Sequence, residues 1–216
     1  MFRNFILFGA LCLFPLNCLA GQFFKDYDLP EDLTPNCAAA LLADVVNCSP
    51  AAARLQRGTY YPLTELSHIC TPECTLSLSD YHGTILSDCA TDTWIGLTDQ
   101  EEPVAMISEL IRYTYNLTCL RDNGDTTFCN NAAAAYAAHD DPDAAALPGG
   151  MPANGDFGSP VTDPCDDCLV SLLRFQAGSP YFNGLDLQTE SIYETKTVEC
   201  GIVGAPLTTT PLTLFT

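Results

Sequence analysis

The chain has 216 residues, 47% of them hydrophobic, and a formal net charge of −19 from eight Lys plus Arg against 27 Asp plus Glu. That apolar content supports a packed core and excludes a disordered chain. The charge excludes nucleic acid and anionic lipid as partners, since both would be repelled, but leaves neutral polysaccharide and polycations open.

The first twenty residues carry a single positive charge, Arg3, an apolar run from Phe5 to Phe14, and small residues at the two positions a signal peptidase reads, Cys18 and Ala20. This pattern predicts a cleaved secretion signal over 1–20 and a mature chain starting near Gly21. No later stretch reaches the roughly 18 apolar residues of a membrane span, so no membrane partner is expected. With Cys12 and Cys18 lost, ten cysteines remain: Cys37, Cys48, Cys70, Cys74, Cys89, Cys119, Cys129, Cys165, Cys168 and Cys200. An even number in an oxidising compartment predicts five disulfides, and spacing alone leaves roughly 945 pairings open. With only three histidines in the chain, zinc is not the main use of these thiols, and no metal or cofactor is expected.

Taken in chain order, the elements are mostly helical. Thr34-Pro35 predicts a helix start, Thr as N-cap and Pro at the first helical position, with Leu41, Leu42, Val45 and Val46 following. Ser49-Pro50 opens a short helix that stops at Gly58. Thr71-Pro72 opens a longer one, in which Cys74, Leu78, Tyr81, Ile85 and Cys89 recur every three or four residues. Pro103 opens a fourth, with Ile107, Leu110 or Ile111, and Tyr115 along one side. Cys119 to Cys129 centres on Asn123-Gly124, the dipeptide that favours a tight β-hairpin turn, so a small hairpin is predicted with its flanking cysteines bonded to each other. Residues 132–139 suit a short helix inside an otherwise low-complexity stretch. Asp163-Pro164 opens another helix, with Leu169, Leu172 and Leu173 inward and Gly178 as its stop. A last helix is expected from about Leu185 to Val198.

The fold class is therefore mainly α and disulfide-stapled. The expected division is a signal peptide over 1–20, a cysteine-rich helical region over 21–130, a linker or long loop over 131–163, a second cysteine-rich helical region over 164–204, and a Thr/Pro tail over 205–216. The cysteines fall into two sets of five, each with a near pair, a long gap, a tight pair and a distal fifth. The repetition suits two related five-cysteine units, while the unequal final gaps suit coincidence.

Catalytic chemistry finds little support. The Cys165-Asp-Asp-Cys168 and Cys70-x3-Cys74 pairs lack the βαβ setting of a thioredoxin-type site, and Asp166 and Asp167 would raise a neighbouring thiol pKa. Asp122, Asn123 and Asp125, and later Asp140, Asp141 and Asp143, lack the alternating ligand frame of a calcium loop. His68, His82 and His139 belong to no hydrolase or zinc-protease motif, and His82 reads as an exposed or locally bonded helix residue. Aspartates are numerous enough to supply a two-carboxylate hydrolase, but Trp94 is the only tryptophan available as a sugar platform. Two N-glycosylation sequons occur, at Asn47 and Asn116. The one at Asn47 is the weaker, because Cys48 is its middle residue and Pro50 follows.

Three stretches carry a resemblance: Cys-Thr-Pro-Glu-Cys-Thr-Leu-Ser-Leu at 70–78, closing on Cys89; Thr118 to Cys129; and Pro-Cys-Asp-Asp-Cys-Leu-Val at 164–170, with distal Cys200-Gly201. Together, over roughly residues 35–205, they resemble the cysteine-rich amino-terminal region of secreted fungal LysM-domain proteins. In such proteins this region precedes LysM modules that bind chitin or related N-acetylglucosamine polymers. No LysM module is found in this chain. Gly124-Asp125-Thr126 is superficially similar to a module start, but Cys119-Leu-Arg121 stands where Tyr-x-Val is expected and no Asn-Pro follows. No LysM sugar-binding residue is therefore carried over, and the chain ends where a first module would be expected to begin.

The expectation is a secreted, non-catalytic stalk or interaction module at a cell wall or host interface. Wall polysaccharide, or a host or wall protein, would be its partner, and chitin association is implied by the resemblance only. The rival classes are a small extracellular hydrolase using paired carboxylates and a structural wall protein.

Overall fold

The computed structural model describes residues 20–56, 59–95, 101–122, 127–140, 163–177 and 187–202. Residues 1–19 of the expected signal, the expected helix stops at Gly58 and Gly178, the Asn123-Gly124 turn, the stretch 141–162 and the tail lie outside them. Among the described residues there are seven α-helices and two short antiparallel β-pairs, so the mainly helical class holds.

From Ala20, the last residue of the expected signal, onward the chain is tied into the fold. Strand β1 (Ala20–Gly21) pairs antiparallel with β2 (Val45–Val46), Gly21 opposite Val45. Gly21 is buried, and a Cβ there would meet the Ser49 carbonyl oxygen at 3.3 Å, a tight approach that would push the two backbones apart by a few tenths of an ångström. Gln22 Nε2 donates to the Leu42 carbonyl at 3.0 Å. Phe23 stacks on Tyr81, and Phe24 tilts against Trp94.

Helix α1 (Pro35–Leu41) starts where its polar-Pro signal places it, with Thr34 Oγ1 accepting the Cys37 N–H at 3.4 Å. It ends sooner than expected. Val45 and Val46 form β2 instead, because two β-branched residues suit an extended pair and β1 supplies a partner. Pro50–Arg54 is a single 3-10 turn capped by Ser49. Helix α2 (Leu63–Ile69) was not anticipated; Pro62 occupies its N-cap with no side-chain oxygen to offer, and Leu66 and Ile69 are its buried face.

Helix α3 (Pro72–Asp88) is the longest of the described helices, with 17 residues. Thr71 Oγ1 caps it by accepting the Cys74 N–H at 3.1 Å. Its predicted stripe is its buried face: Cys74, Leu78, Tyr81 and Ile85, then Cys89 at the C-cap. Strands β3 (Thr93–Ile95) and β4 (Glu101–Pro103) form a second unanticipated pair. Helix α4 (Ala105–Thr118) then returns along α3, with Ile107, Ile111 and Tyr115 on the shared core. That core gathers Cys37, Leu41, Val45, Ile69, Leu78, Tyr81, Ile85, Val104 and Tyr115 between α1, α3 and α4. Buried hydroxyls are satisfied within it. Tyr81 Oη donates to the Leu41 carbonyl at 2.9 Å, and Tyr115 Oη lies 3.1 Å from the Ile69 and Thr71 carbonyls and accepts the Thr71 N–H.

The 119–129 ribbon is present as a single antiparallel bridge, Arg121 opposite Phe128, flanked by Asp122 N–H to Thr127 O and Cys129 N–H to Leu120 O. Helix α5 (Cys129–Asp140) starts at once and takes in the short helix expected over 132–139, beginning three residues earlier. Helix α6 (Asp167–Ala177) begins three residues later than Pro164 suggested. Asp163 and Asp166 carboxylates first accept the Cys165 and Cys168 N–H groups, and a turn precedes the helix. Cys168 and Val170 are its buried residues; Leu169, Leu172 and Leu173 are half-buried. Helix α7 (Leu187–Glu199) closes with Gly201 at φ 63° and the Ile202 N–H on the Thr197 carbonyl, a glycine C-terminal cap.

The disulfides are Cys37–Cys89, Cys48–Cys74, Cys70–Cys119, Cys129–Cys168 and Cys165–Cys200. The expected Cys119–Cys129 bond is thus replaced. Tyr115 anchors the end of α4 on the α2–α3 junction and presents Cys119 to Cys70, while Cys129 opens α5 and packs on α6 with Ala132 and Cys168. Cys70–Cys119 also crosses between the two sets of five, so the pairing divides the cysteines six and four rather than into two self-contained units. The bonds close stretches of 26 to 52 residues, for which chain entropy predicts about 3.5–4 kcal/mol each.

A second link binds α1 to β3. The buried Asp92 carboxylate accepts the Thr34 N–H at 2.6 Å and the Thr34 hydroxyl at 2.9 Å, beside Cys37–Cys89. Asp92→Ala removes both acceptors and should lower stability by about 1–3 kcal/mol, read as an earlier denaturation midpoint; an unchanged midpoint would contradict the link. Proteolytic mapping without reductant should yield peptides joined through Cys70–Cys119 and Cys129–Cys168 and an intact mass lacking ten hydrogens. A Cys119–Cys129 peptide or an alkylatable thiol would contradict the pairing.

Candidate functional site

The two tight cysteine pairs do not form local bonds. Cys70 and Cys74 reach Cys119 and Cys48, and Cys165 and Cys168 reach Cys200 and Cys129. Each pair sits at a helix start and sends two staples to different elements. Neither is a CxxC-type redox disulfide, and all ten expected cysteines have a partner in the fold.

The sequons occupy different settings. Asn47 is exposed in the turn after β2 at φ 60°, a left-handed conformation that asparagine tolerates, and Cys48 beside it is fully buried in its bond to Cys74. Asn116 is half-buried in α4 between buried Tyr115 and Leu117, and its sequon hydroxyl, Thr118, is 4% exposed. Of the candidate calcium ligands, Asp122 accepts the Thr127 N–H and closes the ribbon. No group of three or more His, Cys, Asp or Glu side chains among the described residues is arranged to hold a metal.

The most chemically suggestive cluster was not legible in the sequence. His82 is buried, not exposed, and is bonded to a different helix. Its Nδ1 lies 2.8 Å from Ser108 Oγ and its Nε2 3.3 Å from Glu109 Oε2, and Arg112 donates to that same carboxylate oxygen at 3.1 Å. Burial lowers the His82 pKa from its ordinary value; Glu109 opposes the shift and Arg112 adds to it. Serine, imidazole and carboxylate in series are the parts of a hydrolase site, but Ser108 is 0% exposed and its hydroxyl also faces the Ala105 carbonyl at 2.8 Å. No substrate carbonyl can approach it. The i to i+26 separation of His82 and Ser108 explains why no local motif announced the cluster.

A second polar brace joins α5 to the chain before α2. Asn130 Nδ2 donates to the Thr59 carbonyl and its Oδ1 accepts the Tyr61 N–H, both at 2.9 Å. Asn131 Nδ2 donates to the Tyr61 carbonyl at 2.9 Å. Two asparagines thus pair with an extended segment as a neighbouring strand would. Tyr61 Oη also accepts the Gln56 N–H. Like the Asp92 and Tyr115 bonds, this brace commits polar side chains to holding backbone.

The family described as the secreted LysM effector N-terminal domain matches residues 24–141. That stretch includes Cys129 but not its partner Cys168. The chain is similar to the secreted LysM effector Vd5LysM of Verticillium dahliae, 37% identical over 191 residues, covering 85% of this chain and 26% of the relative. It is also similar to a LysM domain-containing protein of Arthroderma benhamiae, 36% identical over 114 residues, covering 53% of this chain and 20% of the relative. The chain therefore spans about a quarter or less of the curated relatives it matches. No solved structure matches it. The match over more than half of the chain, together with the stapled helical fold, shows that this secreted, extracellular chain belongs to the secreted LysM effector N-terminal domain family.

Proposed function

We propose that this chain is a non-catalytic scaffold of a secreted effector, a covalently braced stalk or interaction module at a cell wall or host interface. The observation that carries this reading is the burial of the Ser108–His82–Glu109 series: among the described residues, the arrangement closest to an active site faces inward and joins two helices. The disulfide frame supports it as well, since five staples make a body that keeps its shape outside the cell. Relatives of which the match covers only 26% and 20%, named for LysM, support a role beside modules that contact sugar.

Chitin association would then belong to LysM modules and not to this region. Trp94, the single tryptophan, is half-buried against Phe24 and offers little stacking surface. Incubated with insoluble chitin at physiological salt, the purified chain should stay in the supernatant. Retention that survives high salt and is competed by soluble N-acetylglucosamine oligomers would contradict this reading. Retention lost at high salt would reflect the chain's negative charge meeting deacetylated, cationic patches.

A further inference from the structure

We infer that Asn116 is an N-glycan acceptor that is open only before the Cys70–Cys119 bond closes, so that glycosylation and disulfide formation compete for the last turn of α4. A sequon is engaged through two groups, here the Asn116 amide and the Thr118 hydroxyl. The fold treats them differently. Asn116 is half-buried, so part of it stays in solvent, and among the described residues its side chain is bonded to nothing. Thr118 is 4% exposed. Tyr115 Oη holds to the Ile69 and Thr71 carbonyls and Cys119 is bonded to Cys70, which seats the end of α4 on the α2–α3 junction with Thr118 closed in. The finished fold leaves room for a sugar at Asn116 but withholds the hydroxyl that a transferase must engage. Modification therefore has to precede packing.

Two reactions draw on this segment. In the first, Asn116 Nδ2 bonds to the anomeric carbon of an oligosaccharide carried on a polyprenyl diphosphate. The bond from that carbon to the diphosphate oxygen breaks, the polyprenyl diphosphate leaves, and the amide gives up one proton. In the second, the Cys70 and Cys119 thiols exchange with a disulfide of the secretory compartment. They lose two protons and two electrons, and that disulfide becomes a dithiol. Cys70 precedes Cys119 by 49 residues, so it is already present when the sequon emerges. At about 5–20 residues per second, Cys119 follows Asn116 almost at once. Alone, α4 would not stay closed in the meantime, since a helix of 14 residues is marginal in water. Disulfide formation takes seconds or longer. Closure of the staple, rather than synthesis, thus sets how long the sequon is open.

The sequon at Asn47 has the longer wait, because Cys74 lies 26 residues beyond Cys48, and Asn47 is exposed. Its hydroxyl is what fails. A sequon must bend to bring amide and hydroxyl to one catalytic site, but Pro50 holds Ser49 extended at ψ 138°, and Ser49 Oγ accepts the Ala51 N–H. The proline restricts Ser49 in the unfolded chain as well, so this site is passed over at every stage.

The test offers unglycosylated chain from a bacterial periplasm to purified oligosaccharyltransferase and its lipid-linked donor, with the modified position read by peptide mass spectrometry. Reduced and alkylated chain should take the glycan at Asn116 and lose it in Asn116→Gln, while disulfide-intact chain should stay unmodified there. Cys70→Ser with Cys119→Ser should open Asn116 in otherwise oxidised protein. Cys165→Ser with Cys200→Ser, which removes the staple between α6 and α7, should leave it closed. Should either double variant fail to fold, the intact and reduced forms of the unsubstituted chain decide. Equal transfer to intact and reduced chain, no transfer to the reduced chain, or transfer to Asn47 in place of Asn116 would overturn the proposal. So would a folded protein without Cys70–Cys119 that stays closed, or one without Cys165–Cys200 that opens as readily.

Discussion

Cys70, Cys74 and Cys89 mark the approach, first turn and C-cap of α3, and their bonds fix the end of α4, the turn after β2, and α1. Helix α1, the turn after β2 and the end of α4 are each one disulfide from this helix, α2 and β3 adjoin it along the chain, and β1 is held through its pairing with β2 and the stack of Phe23 on Tyr81. The apolar stripe between the cysteines then has little freedom in what it meets. Leu78 and Ile85 are enclosed by neighbours already held in place. In a chain of this size, hydrophobic burial and cross-linking act together: the disulfides limit the unfolded ensemble, and the core selects one arrangement within that limit.

The smaller part of the structure works differently. Helices α5, α6 and α7 gather only small apolar clusters, Cys129 with Ala132 and Cys168, and Val170 with Tyr193. They are attached to the main core by the Asn130 and Asn131 brace and by Tyr113 stacking on Phe175 at 5.3 Å. Two disulfides in series, Cys129–Cys168 and Cys165–Cys200, hold these helices to one another. A truncation drawn at the end of the family match would sever Cys129 from its partner, so the covalent unit is longer than the family domain alone.

Much local chemistry was legible where the chain writes it in adjacent residues, although Asp163-Pro164 opens a turn and α6 starts only at Asp167. Thr34-Pro35, Ser49-Pro50 and Thr71-Pro72 each cap a helical turn as read, and the three-to-four spacing from Cys74 to Cys89 is the buried face of α3. Helix α2 escaped because Pro62 supplies no capping oxygen, and β3 and β4 because their few residues show no alternation. What depends on distance was not legible. An Asn-Gly turn brings its flanks near each other, but Tyr115 and the α2–α3 junction decide where Cys119 points. His82 looked exposed on its own helix, and only the return of α4 buries it against Ser108 and Glu109.

If α3 is the element on which the fold rests, its backbone opens last. Amide hydrogen exchange of the oxidised protein, resolved by residue, measures this directly. Leu78, Tyr81 and Ile85 should be among the slowest-exchanging amides, with those of α6 and α7 exchanging sooner through local opening. Slowest exchange in α6 or α7, with α3 opening first, would contradict the account.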